Sequence, residues 1–163
     1  MTEVLAFDGV SRRFGERWVI RAGTLAVHAG EVVALLGRNG CGKTTMLRIA
    51  CGIVRSESGH VRVHGRRIYR PRLHRLAAEG LFLLPERDLL TPTSTVGHHL
   101  ERLAARWAGD PAEAIEMLGI GGLLDRFPVQ LSGGERRRAE LALAVARRPA
   151  VLLADEPFQG IAP

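Results

Sequence analysis

The stretch Gly37-Arg38-Asn39-Gly40-Cys41-Gly42-Lys43-Thr44-Thr45 decides the fold of this 163-residue chain. It fits the pattern G-x-x-x-x-G-K-S/T, in which glycines let backbone N–H groups approach phosphate oxygens closely. Lys43, the only lysine of the chain, supplies a mobile positive charge for phosphates, and Thr44 supplies a hydroxyl for Mg²⁺. The simpler alternative is a glycine-rich turn between a strand and a helix. The sequence on either side of the stretch favours phosphate binding.

An apolar run precedes this loop and a helical pattern follows it. Residues 32–36, Val-Val-Ala-Leu-Leu, are typical of a strand buried on both faces in a parallel sheet. Residues 43–52 predict a helix whose positive N-terminal end faces the phosphates. Upstream, three short apolar segments between glycines predict an antiparallel sheet, at residues 4–7, 18–20 and 25–27.

Downstream of the loop, helical segments interrupt the strands. Residues 61–63 predict a hairpin-like element, residues 81–84 and 151–154 predict buried strands, and residues 95–108, 111–118 and 134–147 predict helices. Asp110 fits the N-cap of the second helix, with Glu113 closing a capping-box-like pair. The order predicts an α/β fold: strands and phosphate loop, a helical insertion, then a return to the sheet.

Two adjacent carboxylates, Asp155 and Glu156, close the last predicted strand. An aspartate in this position can reach Mg²⁺ through water, and the next glutamate can polarise an attacking water molecule. A surface turn is the ordinary interpretation of such a pair. It would be preferred if the phosphate loop were absent.

The third motif is Leu131-Ser132-Gly133-Gly134-Glu135, at the start of a predicted helix. Serine suits the N-cap, and the glycines expose backbone N–H groups to an anion. Taken alone, the motif favours a helix that is simply capped. The following residues 136–138, all arginine, predict a solvated or partner-facing helix start.

The three motifs, in this order, resemble those of the nucleotide-binding subunit of ABC transporters. The resemblance covers residue 4 to the end and implies an ABC ATPase fold, with a P-loop core, an antiparallel β subdomain and a helical insertion. It implies one partial domain, divided into residues 1–84, 85–135 and 136–163. It also implies ATP and Mg²⁺ as cofactors and Glu156 as the catalytic base. The implied nucleotide-binding residues are Phe14, Gly37, Asn39, Gly40, Cys41, Gly42, Lys43, Thr44, Thr45, Ser132, Gly133 and Gly134, and the implied metal-binding residues are Thr44, Glu86 and Asp155.

Individual positions match the family pattern or depart from it. Phe14 matches an aromatic that stacks on adenine, although a residue of the strand core fits nearly as well. Glu86 stands where the family carries a glutamine that senses Mg²⁺ and the transmembrane partner, and Glu135 replaces the usual glutamine of the signature. Ala162 replaces an aspartate that makes a contact across subunits. Residues 85–87 and 160–163 resemble the branched-chain amino-acid importer branch.

The resemblance also implies partners and a location. We expect a head-to-tail dimer with a second ABC subunit, holding two ATP between the Lys43 and Ser132 sites. A transmembrane permease and a substrate-binding protein are the other expected partners, in a transporter that imports. The chain carries no apolar run near the ~18–20 residues that cross a bilayer, so we expect it in the cytoplasm, peripheral on the cytoplasmic face of the membrane. A soluble ABC module and a non-catalytic remnant are the alternatives.

Composition excludes other classes. The net charge is +6, but the arginines are scattered and only 5% of residues are aromatic, so we expect no nucleic-acid partner. The two cysteines lack metal-ligand spacing and are expected to be reduced.

Family members continue for roughly another half of this length, as one typical domain would. The next element expected is a strand ending in a histidine that contacts the γ-phosphate, between the phosphate-loop strand and the Asp155 strand. Without that strand, the edges of its neighbours lack hydrogen-bond partners. We therefore predict that this chain alone is a C-terminally truncated fragment that folds poorly and hydrolyses ATP weakly or not at all.

Overall fold

The computed structural model describes residues 2–68, 72–87, 89–107 and 109–160. It divides into two compact units, Met1–Leu83 and Leu84–Pro163. The strands are β1 Glu3–Phe14, β2 Arg17–His28, β3 Ser58–Val63, β4 Arg66–Ile68, β5 Leu81–Leu84 and β6 Val151–Ala154. The helices are α1 Lys43–Ala50, α2 Leu73–Ala78, α3 Val96–Trp107, α4 Pro111–Leu118 and α5 Gly133–Arg147, with short 3₁₀ turns at Gly121–Leu123 and Pro128–Gln130.

The first unit is built on an antiparallel sheet of order β2-β1-β3-β4. Leu5 and Phe7 of β1 face Val63 and Val61 of β3, and all four side chains are buried. The predicted antiparallel sheet is confirmed, but the prediction of three short strands is wrong. β1 and β2 each run for 12 residues, because register shifts absorb the irregular positions where the glycines lie.

A tight turn joins β3 to β4, as the hairpin-like pattern at residues 61–63 predicts. The pair Val63 and Arg66 closes the ladder, so the loop is only His64 and Gly65. Both loop residues have positive φ, 49° and 73°, as the favoured two-residue hairpin turns require.

Residues 32–36 contradict their prediction. They form no strand, and Val32 and Leu36 are 97% and 90% exposed. An apolar run becomes a strand only where a neighbouring strand pairs with its backbone, and none of the described strands pairs with this segment. Helix α1 nevertheless begins at Lys43 as predicted, and ends at Ala50 with Cys51 as its cap.

In the second unit, α3 and α4 both pack on α5. The inward face of α5 is rich in small side chains, and Ala139, Ala142, Ala144 and Ala146 are all buried. The backbone therefore approaches closely: the Asp110 amide donates to the Ala146 carbonyl at 3.2 Å. The prediction of three helices is confirmed, although Ala108, the predicted end of the first, lies outside the described residues.

Helix α4 begins as predicted at Asp110, whose Oδ1 accepts from the Ala112 amide at 3.0 Å. The predicted role of Glu113 is wrong. Its carboxylate meets the Arg148 guanidinium at the end of α5 and not the N-cap backbone. An arginine within reach is the stronger partner for a carboxylate than a single amide.

β6 pairs with the end of β5, where the Asp155 amide donates to the Leu84 carbonyl at 2.9 Å. The strands predicted at residues 81–84 and 151–154 are confirmed, but Leu152 is 47% exposed, so β6 is not buried on both faces. In the described part of the chain, no helix combines the length and the hydrophobicity needed to span a membrane.

Candidate functional site

The phosphate loop lies in the first unit, at the start of α1. Gly42 is the N-cap, with φ of 110°, and contributes no capping side chain. A Cβ at this position would lie 2.9 Å from the Val19 carbonyl oxygen, so only glycine fits without a shift of the backbone. The Gly42 carbonyl accepts from Met46 at 2.8 Å, which starts the helix. The first turn, which includes the half-buried Thr44 and Thr45, thus points its N–H groups toward the loop.

Lys43 turns back over this loop. Its Nζ donates to the Gly37 carbonyl at 2.9 Å and to the Arg38 carbonyl at 3.3 Å. The tip of the loop consists of Asn39, Gly40 and Cys41, which are all exposed to solvent. A flexible ammonium held by neutral carbonyls can exchange them for charged phosphate oxygens at a net gain, because hydrogen bonds between ions are the stronger ones.

Phe14 ends β1 with its ring 49% exposed, so it is not a core residue of the sheet. The Arg12 guanidinium lies 4.6 Å from the ring centroid. On β2, Trp18 sits opposite Arg13 and also exposes much of its ring. This end of the hairpin therefore exposes two aromatic rings. The sequence motif indicated Phe14 but not Trp18.

In the second unit, the Ser132 segment starts α5 as predicted. Ser132 is the N-cap, and its Oγ accepts from the Glu135 amide at 3.3 Å. Glu135 Oε2 accepts from the Ser132 amide at 2.8 Å, which completes a reciprocal capping box. Gly133 is exposed, and a Cβ on Gly134 would lie 3.1 Å from the Gly160 carbonyl oxygen.

Glu135 carries a charge at this helix start. The hydrogen bond from the Ser132 backbone, followed by the one from its side chain, lowers the pKa of the Glu135 carboxyl below 4.5. The positive charges of Arg126 and Arg138 act in the same direction, with Arg126 Nη1 3.5 Å from Glu135 Oε1. Glu135, in place of the usual glutamine, thus keeps the capping box. It also adds a negative charge, which the positive charges of Arg126 and Arg138 stabilise.

Asp155 and Glu156 follow β6 and differ in exposure. Asp155 is buried, whereas the Glu156 side chain is exposed. Glu156 has φ of 45°, a left-handed conformation that is uncommon for residues other than glycine. Backbone strain of this kind is concentrated at functional sites, where the surrounding structure holds it in place.

Arg137 is the residue that the sequence interpretation missed. The prediction of a solvated or partner-facing helix start is wrong at this position, because Arg137 is only 4% exposed. Its guanidinium donates to the carbonyls of Asp155, Glu156 and Pro157 and to that of Pro85. The signal was present: Arg137 and Glu140, three residues apart, share the helix face that otherwise carries alanines.

Glu86 follows Pro85 and is exposed, with its Oε1 3.4 Å from Arg87 Nε. The carbonyl of Pro85, the residue before Glu86, accepts a hydrogen bond from the same arginine that contacts the Asp155 segment. The second unit thus brings Glu86, Asp155 and Glu156 to the surroundings of Arg137. The first unit brings Phe14 and the phosphate loop to the edge of its sheet and the start of α1, and Ala162 lies outside the described residues.

Comparison with known proteins identifies a matching family and similar relatives. Residues 20–159 match the family model described as ABC transporter. The chain is 34% identical to the Fe(3+) ions import ATP-binding protein FbpC 2 of Rhodococcus jostii, over 99% of this chain and 48% of that protein. It is 37% identical to the sulfate/thiosulfate import ATP-binding protein CysA of Salmonella typhi, over 91% of this chain and 43% of that protein.

The chain thus spans about half the length of these curated relatives. Among solved structures, one described as an ATP binding subunit of an ABC transporter matches 98% of this chain and 69% of its own, with a TM-score of 0.86 and 24% identity. The predicted ABC ATPase fold is therefore confirmed. From the family match and this fold, the chain belongs to the ABC transporter family.

Proposed function

We propose that this chain binds and hydrolyses ATP and thereby powers an ABC transporter that imports its substrate. The observation that carries the proposal is the start of α1, where a glycine loop and Lys43 meet a helix N-terminus without a capping side chain. This arrangement suits a polyphosphate, because the helix dipole, the loop amides and the ammonium all favour negative charge. The names of both relatives, which describe import, support the direction of transport.

ATP would be held by two groups of residues. Gly37, Asn39, Gly40, Cys41, Gly42, Lys43, Thr44 and Thr45 take the phosphates, and Phe14 offers its exposed ring to adenine. Ser132, Gly133 and Gly134 lie at a second helix N-terminus, which we propose takes the γ-phosphate of an ATP bound to another subunit. Each chain would then contribute to two ATP sites in a head-to-tail dimer.

The residues present also suit Mg²⁺. The Thr44 hydroxyl and the carboxylates of Asp155 and Glu86 are hard oxygen donors, which Mg²⁺ prefers. Across the described ranges, no three His, Cys, Asp or Glu side chains group into a metal site. Enzymes that transfer phosphoryl groups commonly bind Mg²⁺ through one or two carboxylates together with substrate phosphates and water. When bound, Mg²⁺ would neutralise charge on the phosphates.

Hydrolysis would depend on Glu156. Its carboxylate is exposed to solvent at the end of β6, where a water molecule can approach it. We propose that Glu156 orients this water and accepts its proton as the oxygen attacks the γ-phosphorus and ADP leaves. Asp155, beside it, is buried and less open to solvent, so we assign the proton-accepting role to Glu156 and not to Asp155.

The partners follow from this function. We propose a transmembrane permease, a second ABC subunit and a substrate-binding protein, with the chain at the cytoplasmic face of the membrane. The branched-chain amino-acid branch and the division into residues 1–84, 85–135 and 136–163 stay predictions.

Lys43→Ala tests the proposal. Removing the ammonium should weaken ATP binding by about tenfold or more, since a charged hydrogen bond contributes ~1.5–3 kcal/mol. The measurement is ATP affinity by titration calorimetry together with the rate of phosphate release. Arg48→Ala, an exposed cation in the last turn of α1, is the matched control and should keep both values. Equal ATP affinity in Lys43→Ala and the wild type would contradict the proposal.

A further inference from the structure

We propose that Arg137 is a positioning residue that fixes the direction of the Glu156 side chain. This inference rests on the proposed function, because it concerns the same hydrolysis. All of its residues lie within the second unit. The inference is based on the hydrogen bonds of the buried Arg137 guanidinium.

Arg137 uses every donor it has. An arginine side chain carries five N–H groups in a rigid fork. Nε donates to the Pro157 carbonyl at 2.9 Å, and Nη2 donates to the Asp155 and Glu156 carbonyls at 2.9 and 3.0 Å. Nη1 donates to the Pro85 carbonyl at 2.7 Å and to Glu140 Oε2 at 3.0 Å.

The three consecutive carbonyls determine the geometry of Glu156. The Asp155 carbonyl belongs to the peptide plane before Glu156, and the Glu156 carbonyl belongs to the plane after it. When both planes are held, φ and ψ of Glu156 are fixed, and so is the direction of its Cα–Cβ bond. This matters because φ of Glu156 is 45°, which costs energy unless the surroundings impose it.

Glu140 holds the guanidinium in turn. Arg137 and Glu140 are 4% and 2% exposed and lie one turn apart on α5. The second Glu140 oxygen lies 3.6 Å from Arg136 Nε. A buried guanidinium needs such a partner, since an unpaired buried charge is strongly destabilising. The 15-residue helix α5 therefore serves as the rigid support from which Arg137 reaches the loop.

The same guanidinium also connects Glu156 with Glu86. Its Nη1 holds the carbonyl of Pro85, the residue before Glu86, while Nη2 holds that of Glu156. A shift of the backbone at Pro85 would therefore change the hydrogen bonds that orient Glu156. Lysine cannot replace this arrangement, because one ammonium cannot reach carbonyls spread along a planar fork.

The test compares Arg137→Lys with Arg147→Lys in the protein as its gene encodes it. Arg147 is the matched control: it is also a buried arginine of α5, and its guanidinium lies over the Trp107 ring, 4.2 Å from the centroid. We measure kcat, KM for ATP and the number of ATP bound per chain. Arg137→Lys should lower kcat by roughly 10- to 100-fold while KM changes by less than about threefold. Arg147→Lys should keep kcat.

Glu156→Gln provides a background that separates positioning from general stabilisation. If Arg137 acts through Glu156, adding Arg137→Lys to Glu156→Gln changes the residual turnover by less than about twofold. A merely structural arginine would instead lower the number of ATP bound per chain, and the turnover, in both backgrounds. That result would overturn the positioning role.

The two proposals fail in different ways. If Glu156→Gln abolishes turnover but Arg137→Lys keeps kcat, the proposed function stands and the positioning role is wrong. If Glu156→Gln keeps turnover, both are wrong. Should Arg137→Lys not fold, Glu140→Gln tests the same contact, because it keeps the size of the side chain and removes its charge. It should lower kcat by roughly 3- to 10-fold, and an unchanged kcat would overturn the inference.

Discussion

Cys41 and Cys51 stand on either side of α1 in opposite environments. Cys41 is exposed at the tip of the phosphate loop, and Cys51 is buried after the last turn of the helix. Burial raises the pKa of the Cys51 thiol to about 12, so this group stays protonated at neutral pH. Only a thiolate that a reagent can reach reacts readily, and Cys41 is the accessible thiol of the pair.

We predict that a maleimide labels Cys41 in the native protein and labels Cys51 only after unfolding. ATP bound in the phosphate loop would cover Cys41. At an ATP concentration of ten times Kd, labelling should therefore slow by about tenfold. Intact-mass spectrometry over time measures both rates. Lys43→Ala, with weakened ATP binding, should lose the protection at that concentration, whereas a labelling rate insensitive to ATP would contradict ATP binding at this loop.

Single residues also show how far the sequence can be interpreted. Local patterns predict that Lys43 and Ser132 lie at helix starts, and the structure places both there. Arg137 shares a helix face with Glu140 and the alanines, but the backbone carbonyls that it contacts lie 18 to 52 residues away along the chain. The helical spacing thus indicates that Arg137 faces inward, but it does not specify which distant carbonyls the guanidinium binds.

The same contrast appears among the elements. Helices α1, α4 and α5 were predictable because caps, proline and glycine act within one turn. The segment 32–36 has an equally clear apolar pattern and yet forms no strand. A helix satisfies its own backbone, whereas a strand needs a neighbour, so hydrophobicity alone could not decide the outcome.

For α5 we predict that the charge of Glu135 stabilises the helix start in a pH-dependent way. Because the Glu135 pKa is lowered below 4.5 on folding, its contribution is fully present above that value and is lost as the pH falls through the folded pKa. Glu135→Gln keeps the capping hydrogen bond and removes only the charge. The variant should therefore have a lower Tm than the wild type at pH 7, and the difference should close below pH 4.5.

Thermal unfolding followed by circular dichroism between pH 3 and 8 measures this difference. Glu116→Gln, at an exposed position of α4, serves as the control and should show no such pH dependence. A Tm difference between Glu135→Gln and the wild type that stayed constant across this range would refute the assignment.

At the scale of the whole molecule, the fold and the order of the motifs were accessible from the sequence. Phosphate loop, helical segments, Ser132 motif and carboxylate pair occur in the order of an ABC ATPase, and the structural match over 98% of the chain agrees. The lengths of β1 and β2 were not accessible, because register shifts depend on how three strands pair. The chain spans about half the length of its curated relatives, so the activity and partners of the whole protein rest on the proposal.

The rate of ATP turnover in Glu156→Gln, relative to the wild type, tests the central claim most directly. The variant keeps the size of the side chain and removes the group that accepts the proton. Loss of a general base lowers rates by about 10²- to 10⁴-fold, so turnover should fall at least about a hundredfold while ATP stays bound. Turnover equal to that of the wild type would contradict hydrolysis at Glu156 and leave a chain that binds nucleotide without using this carboxylate.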